Sequence, residues 1–191
     1  MSTLKVASIN NPAAASGGLA ISATGAVSGA GLDHIVTETF TAQSAVSVDG
    51  CFTADYDNYR VVVTGTNTGA NRLYLRMRLS GSDATGASDY KNAGFYSDTS
   101  PASGAIDNSN GTSSANLGYL AAGGASSVDI YSPAIATVTK MRSNCIYKAG
   151  ANIAQITFAC SHEQNVAYSG LSIFSTSGTN SGSLSVYGYK S

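Results

Sequence analysis

Few residues in this chain have the types and spacing that chemistry requires. His162-Glu163 resembles the opening of a zinc-protease helix, but no histidine follows four residues on. The second imidazole that such a site needs is therefore missing. The other histidine, His34, lies far from it in the chain. Cys51, Cys145 and Cys160 are odd in number and widely separated, with no Cys-x-x-Cys spacing, so they read as buried reduced thiols. Asp55, Asp57 and Asn58 form the densest acidic cluster, but it lacks the glycine and distal glutamate of a calcium loop. Asp and Asn also favour the turn that precedes a strand, and the cluster reads as such a turn. Serines are common, yet no Gly-x-Ser-x-Gly elbow leads into a helix. Nor does the sequence indicate two carboxylates flanking a sugar-sized cleft, as a glycosidase needs. These residues point away from catalysis, and neither a cofactor nor a metal is expected.

One polar feature has a direction. Arg72, Tyr74, Arg76 and Arg78 alternate with Leu73, Leu75, Met77 and Leu79. In an extended chain a period of two puts the apolar set on a core face and the arginines and tyrosine on the other. Guanidinium groups bind carboxylates with two parallel hydrogen bonds, and tyrosine offers a flat apolar surface, so this stripe could take a sugar or an acid. The same residue types suit a subunit boundary. They also suit a solvated face with Asp on neighbouring strands.

The elements that position these residues are short strands. The chain has 191 residues, with 21 Gly, 11 Tyr and only three Pro, and it shows no long helical pattern, so an all-β fold is expected. Strands are expected at 34–41, 45–52, 58–66, 72–80, 90–96, 116–120, 127–132, 137–147, 152–161, 167–175 and 182–189, separated by turn clusters. Pro133 should close one of them. Ala154, Ile156, Phe158 and Cys160 alternate toward the core, joined by Tyr59, Val61, Val63, Val128 and Ile130. Leu171 and Ile173, then Leu184 and Val186, read as a closing hairpin packed on this core.

Two segments stand apart. Residues 97–116 read as an unusually long loop, and connections of that length are usually functional or mobile. Its candidate contact residues are Ser97, Pro101, Ile106, Asp107, Asn108 and Asn110; the alternative is a solvated insertion. Residues 1–33 carry only isolated apolar side chains, Leu4, Val6, Ile9, Leu19, Ile21 and Val27, in a field of Ala, Ser and Gly. They cannot close a core of their own. They read as an extended arm, either a free linker or docked on another subunit or assembly. Within the arm, residues 19–27 suggest a small hairpin turning at Thr24-Gly25. Residues 34–191 form the expected globular domain.

Charge excludes some partners. Ten Lys+Arg against eleven Asp+Glu leave neither an electrostatic footprint for nucleic acid nor a polybasic patch for a membrane surface. No apolar run reaches membrane-spanning length, and no signal-peptide pattern is visible, so no membrane insertion is expected.

The opening Ser2 to Asn10, with the small hairpin that follows, resembles the N-terminal attachment segments of tailed-bacteriophage fibres and other virion proteins. Segments 57–63, 130–133 and 181–188 are similar to recurring elements of phage virion β-sandwich domains. This resemblance, to a tailed-bacteriophage virion structural protein, implies a jelly-roll-like antiparallel β-sandwich preceded by the arm. It also implies a homotrimer, made in the host cytoplasm without a signal peptide, whose arm joins other virion proteins. A short tail fibre that meets a host-surface glycan or protein is the leading expectation, with the tail favoured over the head. A head decoration protein that stabilises the capsid is the alternative, and a secreted depolymerase is disfavoured. The motifs are structural and imply no catalytic residues.

Overall fold

In the computed structural model, residues 20–21, 27–28, 31–69, 71–99, 105–121 and 123–189 are described. They contain no helix and form fifteen strands: β1 (Ala20–Ile21), β2 (Val27–Ser28), β3 (Leu32–Gln43), β4 (Ala45–Val48), β5 (Asn58–Asn67), β6 (Arg72–Leu79), β7 (Ser82–Asp83), β8 (Tyr90–Asp98), β9 (Ala105–Thr112), β10 (Ala115–Tyr119), β11 (Gly124–Tyr131), β12 (Thr139–Ala149), β13 (Asn152–His162), β14 (Gly170–Ser175) and β15 (Asn180–Tyr189). An eight-stranded sheet, in the order β3-β15-β5-β11-β12-β13-β8-β9, packs on a smaller one in the order β10-β6-β14-β4, with β7 paired to β6.

The pairings reveal a jelly roll with insertions. Take β3, β4, β5, β6, β10, β11, β14 and β15 in chain order. The first pairs antiparallel with the last, β4 with β14, β5 with β11, and β6 with β10. This nesting is the eight-stranded double Greek key. The remaining long strands, β8-β9 and β12-β13, are hairpins inserted into that frame, and both extend the larger sheet on one side.

Alternation builds the core as the spacing predicts. Leu73, Leu75 and Met77 of β6 are fully buried, as are Tyr59, Val61 and Val63 of β5. Ala154, Ile156, Phe158 and Cys160 of β13 face the same interior. Leu79 departs from the expected face: it is 44% exposed, because β6 ends there and turns into β7. Pro133 does follow the end of β11, and its carbonyl accepts a hydrogen bond from the Tyr168 amide.

Two expected features are corrected. The closing segment is not a hairpin: β14 pairs with β4 and β6, whereas β15 pairs with β3 and β5 in the other sheet. Leu171, Ile173, Leu184 and Val186 still share the core, but they enter it from opposite layers. The loop expected over 97–116 is largely strand. Asp98 ends β8, and Ala105–Thr112 return as β9, paired in register along β8. A backbone ladder on an exposed sheet edge does not need the apolar side chains whose absence suggested a loop. Of the small N-terminal hairpin, the ladder Ala20↔Ser28 and Ile21↔Val27 is present, whereas its turn lies outside the described residues. Most of the arm, including Leu4, Val6, Ile9 and Leu19, also lies outside them.

Candidate ligand-binding cleft

The inserted strands create a concavity. At one end of the sandwich the inner face of β12, β13, β8 and β9 runs beyond the strands of the smaller sheet, leaving a cleft of ≈ 280 Å³. Its lining comprises Arg72, Tyr96, Asp107, Tyr119, Tyr147, Ile156 and Phe158. Two of these, Arg72 and Asp107, were picked out by the sequence in separate segments. The fold brings them into an ion pair across the gap between β6 and β9. Ile156 and Phe158 of β13 are already legible as inward-facing core residues, whereas Tyr96, Tyr119 and Tyr147 are not, because they come from three strands, β8, β10 and β12. The only sequence signal for these three is the abundance of tyrosine.

Local devices aim each wall. In β10 the register with β6 shifts between Asn116 and Gly118, a bulge, and Gly118 takes φ +126°. A Cβ at Gly118 would lie 2.3 Å from Cys145 Cβ, so only glycine lets the bulge settle there. Tyr119, the next residue, then stacks on Tyr147 with ring centroids 4.9 Å apart. The Phe158 ring lies over the β8 backbone at Gly94, where an added Cβ would stand 2.2 Å from its Cδ1. Asn92, buried one strand position from Ala93, donates its amide to Ser109 Oγ, Thr112 Oγ1 and the Ser114 carbonyl. Its side-chain oxygen accepts from the Asn116 amide at 2.8 Å. One buried amide thus locks β8, β9 and β10 together beside the cleft, and each partner is satisfied.

The polar groups of the cleft form two sets. The Arg72 guanidinium sits 5.6 Å from the Tyr119 ring centroid and 5.5 Å from that of Phe158, a cation–π arrangement. Burial works against its charge, and Tyr119 and Asp107 outweigh that, so its pKa is raised. Arg72 Nε is buried without a hydrogen-bond partner. The second set is a hydroxyl chain in which Tyr147 bonds Tyr96 and Tyr96 donates to Asp98. Burial, then Tyr96 and Tyr119, push the Tyr147 hydroxyl up, so it remains a donor at neutral pH. Flat rings flanked by an arginine, a carboxylate and phenolic oxygens are what one pyranose ring or a similar amphipathic group needs. The volume suits one ring rather than an oligomer.

The rest of the arginine stripe stays on the outer face of the smaller sheet and is engaged with its neighbours. Arg78 pairs with Asp49 at 2.9 Å and with Asp83, and Ser172 Oγ donates to Asp83 at 2.9 Å. The Arg78 hydrogen bond holds the Asp49 carboxyl below its ordinary range. Arg76 lies 4.1 Å from the Phe174 ring centroid and donates from Nε to the Ser113 carbonyl at 3.0 Å. Tyr74 stacks on the same ring at 5.4 Å.

The other sequence candidates are dispersed. Ser97 lies in β8, Asn108 and Asn110 lie on the outer face of β9, and Pro101 is outside the described residues. Ile106 is in register opposite Phe95. Among the described residues no cluster of three or more His, Cys, Asp or Glu could hold a metal ion. The Cys51, Cys145 and Cys160 thiols are all buried, and burial pushes them up to about 12, 11 and 12. They are protonated and poor nucleophiles at neutral pH. Asp55 accepts from Thr53 Oγ1, and the Asp57 carbonyl accepts from the Ser132 amide, in the turn before β5.

Fold and cleft together define an all-β jelly-roll sandwich with a lateral aromatic cleft. No protein-family model matches the chain, and the search of curated proteins gave no match. Among solved structures it is similar to the Caenorhabditis elegans galectin LEC-6, at 13% identity over 78% of this chain and 94% of that one, with a TM-score of 0.34. A likeness that distant carries no functional argument.

Proposed function

We propose that the chain is a non-catalytic binding module of a virion, of the short tail-fibre type, that meets a host-surface glycan or protein. The observation that supports a binding role is the cleft itself. It is made by hairpins added to a jelly-roll frame that is complete without them, and its walls are aromatic rings around one arginine. Jelly rolls serve viral particles and sugar-binding proteins alike. The placement on a phage rests on the resemblance of the N-terminal segment and the sandwich motifs, and residues 1–33 are proposed as the anchor to other virion proteins. Head decoration is the competing placement.

Glycan-array and host-cell binding test the module. Tyr119→Ala and Arg72→Met should each weaken binding roughly tenfold, about 1.4 kcal/mol, measured at a temperature where circular dichroism shows each variant fully folded. A wild-type protein that binds neither glycans nor host cells, together with capsids that lose pressure resistance in its absence, would favour decoration instead.

Self-association is proposed on the outer face of the larger sheet. Phe95, Ile146 and Ile153 are 56%, 58% and 56% exposed. The registers Phe95↔Thr157 and Ile146↔Gln155 place them around Gln155 on adjoining strands. Exposed apolar groups in such proximity mark contact surfaces. An Ile146→Asp substitution should convert the proposed trimer to monomer in light scattering without unfolding it. A wild-type protein that is already monomeric at tens of micromolar would remove this part of the proposal.

A further inference from the structure

The outer face of the inserted strands carries a second concavity, separate from the cleft and facing the opposite way. It is a broad trough of ≈ 630 Å³ across β12, β13, β8 and β9. Strand register defines it in two rows. One row is Lys140↔Ser161↔Lys91↔Asn110, and the next is Arg142↔Ala159↔Ala93↔Asn108. The second row is small in its middle, at Ala159 and Ala93, whereas the first carries Ser161 and Lys91 there. Lys140 rises on the β12 side, with Arg142 in register beside Ala159 just outside the lining, and two amides line the β9 side. Adjacent strands lie about 4.8 Å apart, so the trough runs about 14 Å from Lys140 to Asn110.

Neither Lys140 nor Arg142 forms an ion pair among the described residues, although the Arg142 charge acts on Asp129. Asp129 stands in register with Arg142, yet its carboxylate is already held by Arg60 at 2.7 and 2.9 Å and by the Tyr189 hydroxyl at 2.6 Å. Lys140 and Arg142 are both exposed and two residues apart on the same face. Lys91 is different, since it donates to Glu163 at 3.1 Å. Glu163, which also accepts from Ser161, is the acidic group at this rim.

We infer that this trough binds an acidic polysaccharide, a chain of sugar rings carrying carboxylates, laid across the four strands. The paired Ala93 and Ala159 methyl groups take the apolar face of one ring. Asn108 and Asn110 can both donate to and accept from ring hydroxyls. Lys140 and Arg142 meet the carboxylates on the other side, and their charges complement that polymer. Nucleic acid fits less well, because single strands stack their bases on aromatic side chains, and none lines this trough. The inference does not depend on the cleft.

The test uses the full chain and three polymers: polygalacturonate, neutral dextran, and single-stranded DNA of matched charge. Calorimetry should show binding to polygalacturonate that weakens as salt rises from 50 to 300 mM, with no comparable binding of dextran or DNA. The double variant Lys140→Glu/Arg142→Glu should lose at least tenfold in affinity while keeping its melting temperature. Ala159→Trp, which fills the floor without changing charge, should lose a similar factor, whereas Tyr119→Ala in the cleft should bind as the wild type does. Equal binding of dextran, tighter binding of DNA, no binding of polygalacturonate, or unaltered affinity in both trough variants would each overturn the assignment.

Discussion

Replacing Phe158 by alanine is expected to lower the free energy of unfolding by about 3–5 kcal/mol, read from urea denaturation. The ring is fully buried between the layers, on the inner face of β13. It covers Gly94 of β8 and lies beneath the Arg72 guanidinium, so its loss removes apolar burial and leaves a cavity that its neighbours cannot fill. Both terms contribute, which is why aromatic truncations are among the costliest single changes. The cleft loses its floor at the same time, so ligand affinity should fall with stability. Phe158→Leu retains part of the packing and should cost less than half as much. Gly94→Ala approaches the same contact from the other side: its new Cβ would meet the ring, and overpacking of this kind costs about 1–3 kcal/mol. A loss below about 1 kcal/mol for Phe158→Ala would show that the ring does not join the two sheets.

How much of this was legible beforehand depends on the physical signal each element leaves in sequence. β6 and β13 have one buried and one open face, so their side chains alternate and the facing could be read directly. β9 leaves no such signal. Ala105–Thr112 hold mainly small and polar residues, and the strand is an edge held by its ladder to β8 and by the Asn92 amide. β14 and β15 are legible as strands, but their membership of different sheets is not. Both halves of the segment alternate as a hairpin would, and the turn between them does not reveal that the chain crosses from one layer to the other. The cleft was half legible. Arg72 stood out by charge pattern and Asp107 by its place in a polar stretch, but their meeting depends on long-range pairing. The tyrosines Tyr96, Tyr119 and Tyr147 come together through the Gly118 bulge and the inserted hairpins, and local spacing encodes neither. The outer trough was less legible still, because it exists only as registers between four strands.

The stability of the fold should also fall between about pH 6.5 and the lower value at which folded His162 takes up a proton, and a single substitution should remove that dependence. His162 is completely buried at the end of β13. Tyr90 meets its ring edge-on with centroids 4.4 Å apart, and the Tyr168 hydroxyl lies 3.2 Å from Nδ1 and 3.3 Å from Nε2. Burial pushes its pKa below the ordinary value, and Asp89, 3.9 Å from Nε2, together with Glu163 only partly offsets this. Because the folded-state pKa is depressed, the unfolded chain binds more protons once pH drops below about 6.5. The imidazole's contribution is thus present in full above that pH and is lost as pH falls through it, by at most about 1.4 kcal/mol per pH unit. The carboxylates act in a different window. Asp49 is held low by Arg78 and Glu163 by Ser161 and Lys91; Asp129, which burial alone would raise, is held low by Arg60 and Tyr189. Their contributions are lost only as pH falls below about 4, the usual carboxylate range. His162→Phe keeps a ring between the two tyrosines and removes the titration, so its unfolding free energy should be nearly flat from pH 7.5 to 5, whatever its absolute value. Urea midpoints across that range measure both curves. Parallel slopes for the two proteins would mean that His162 is not the group that acid finds first.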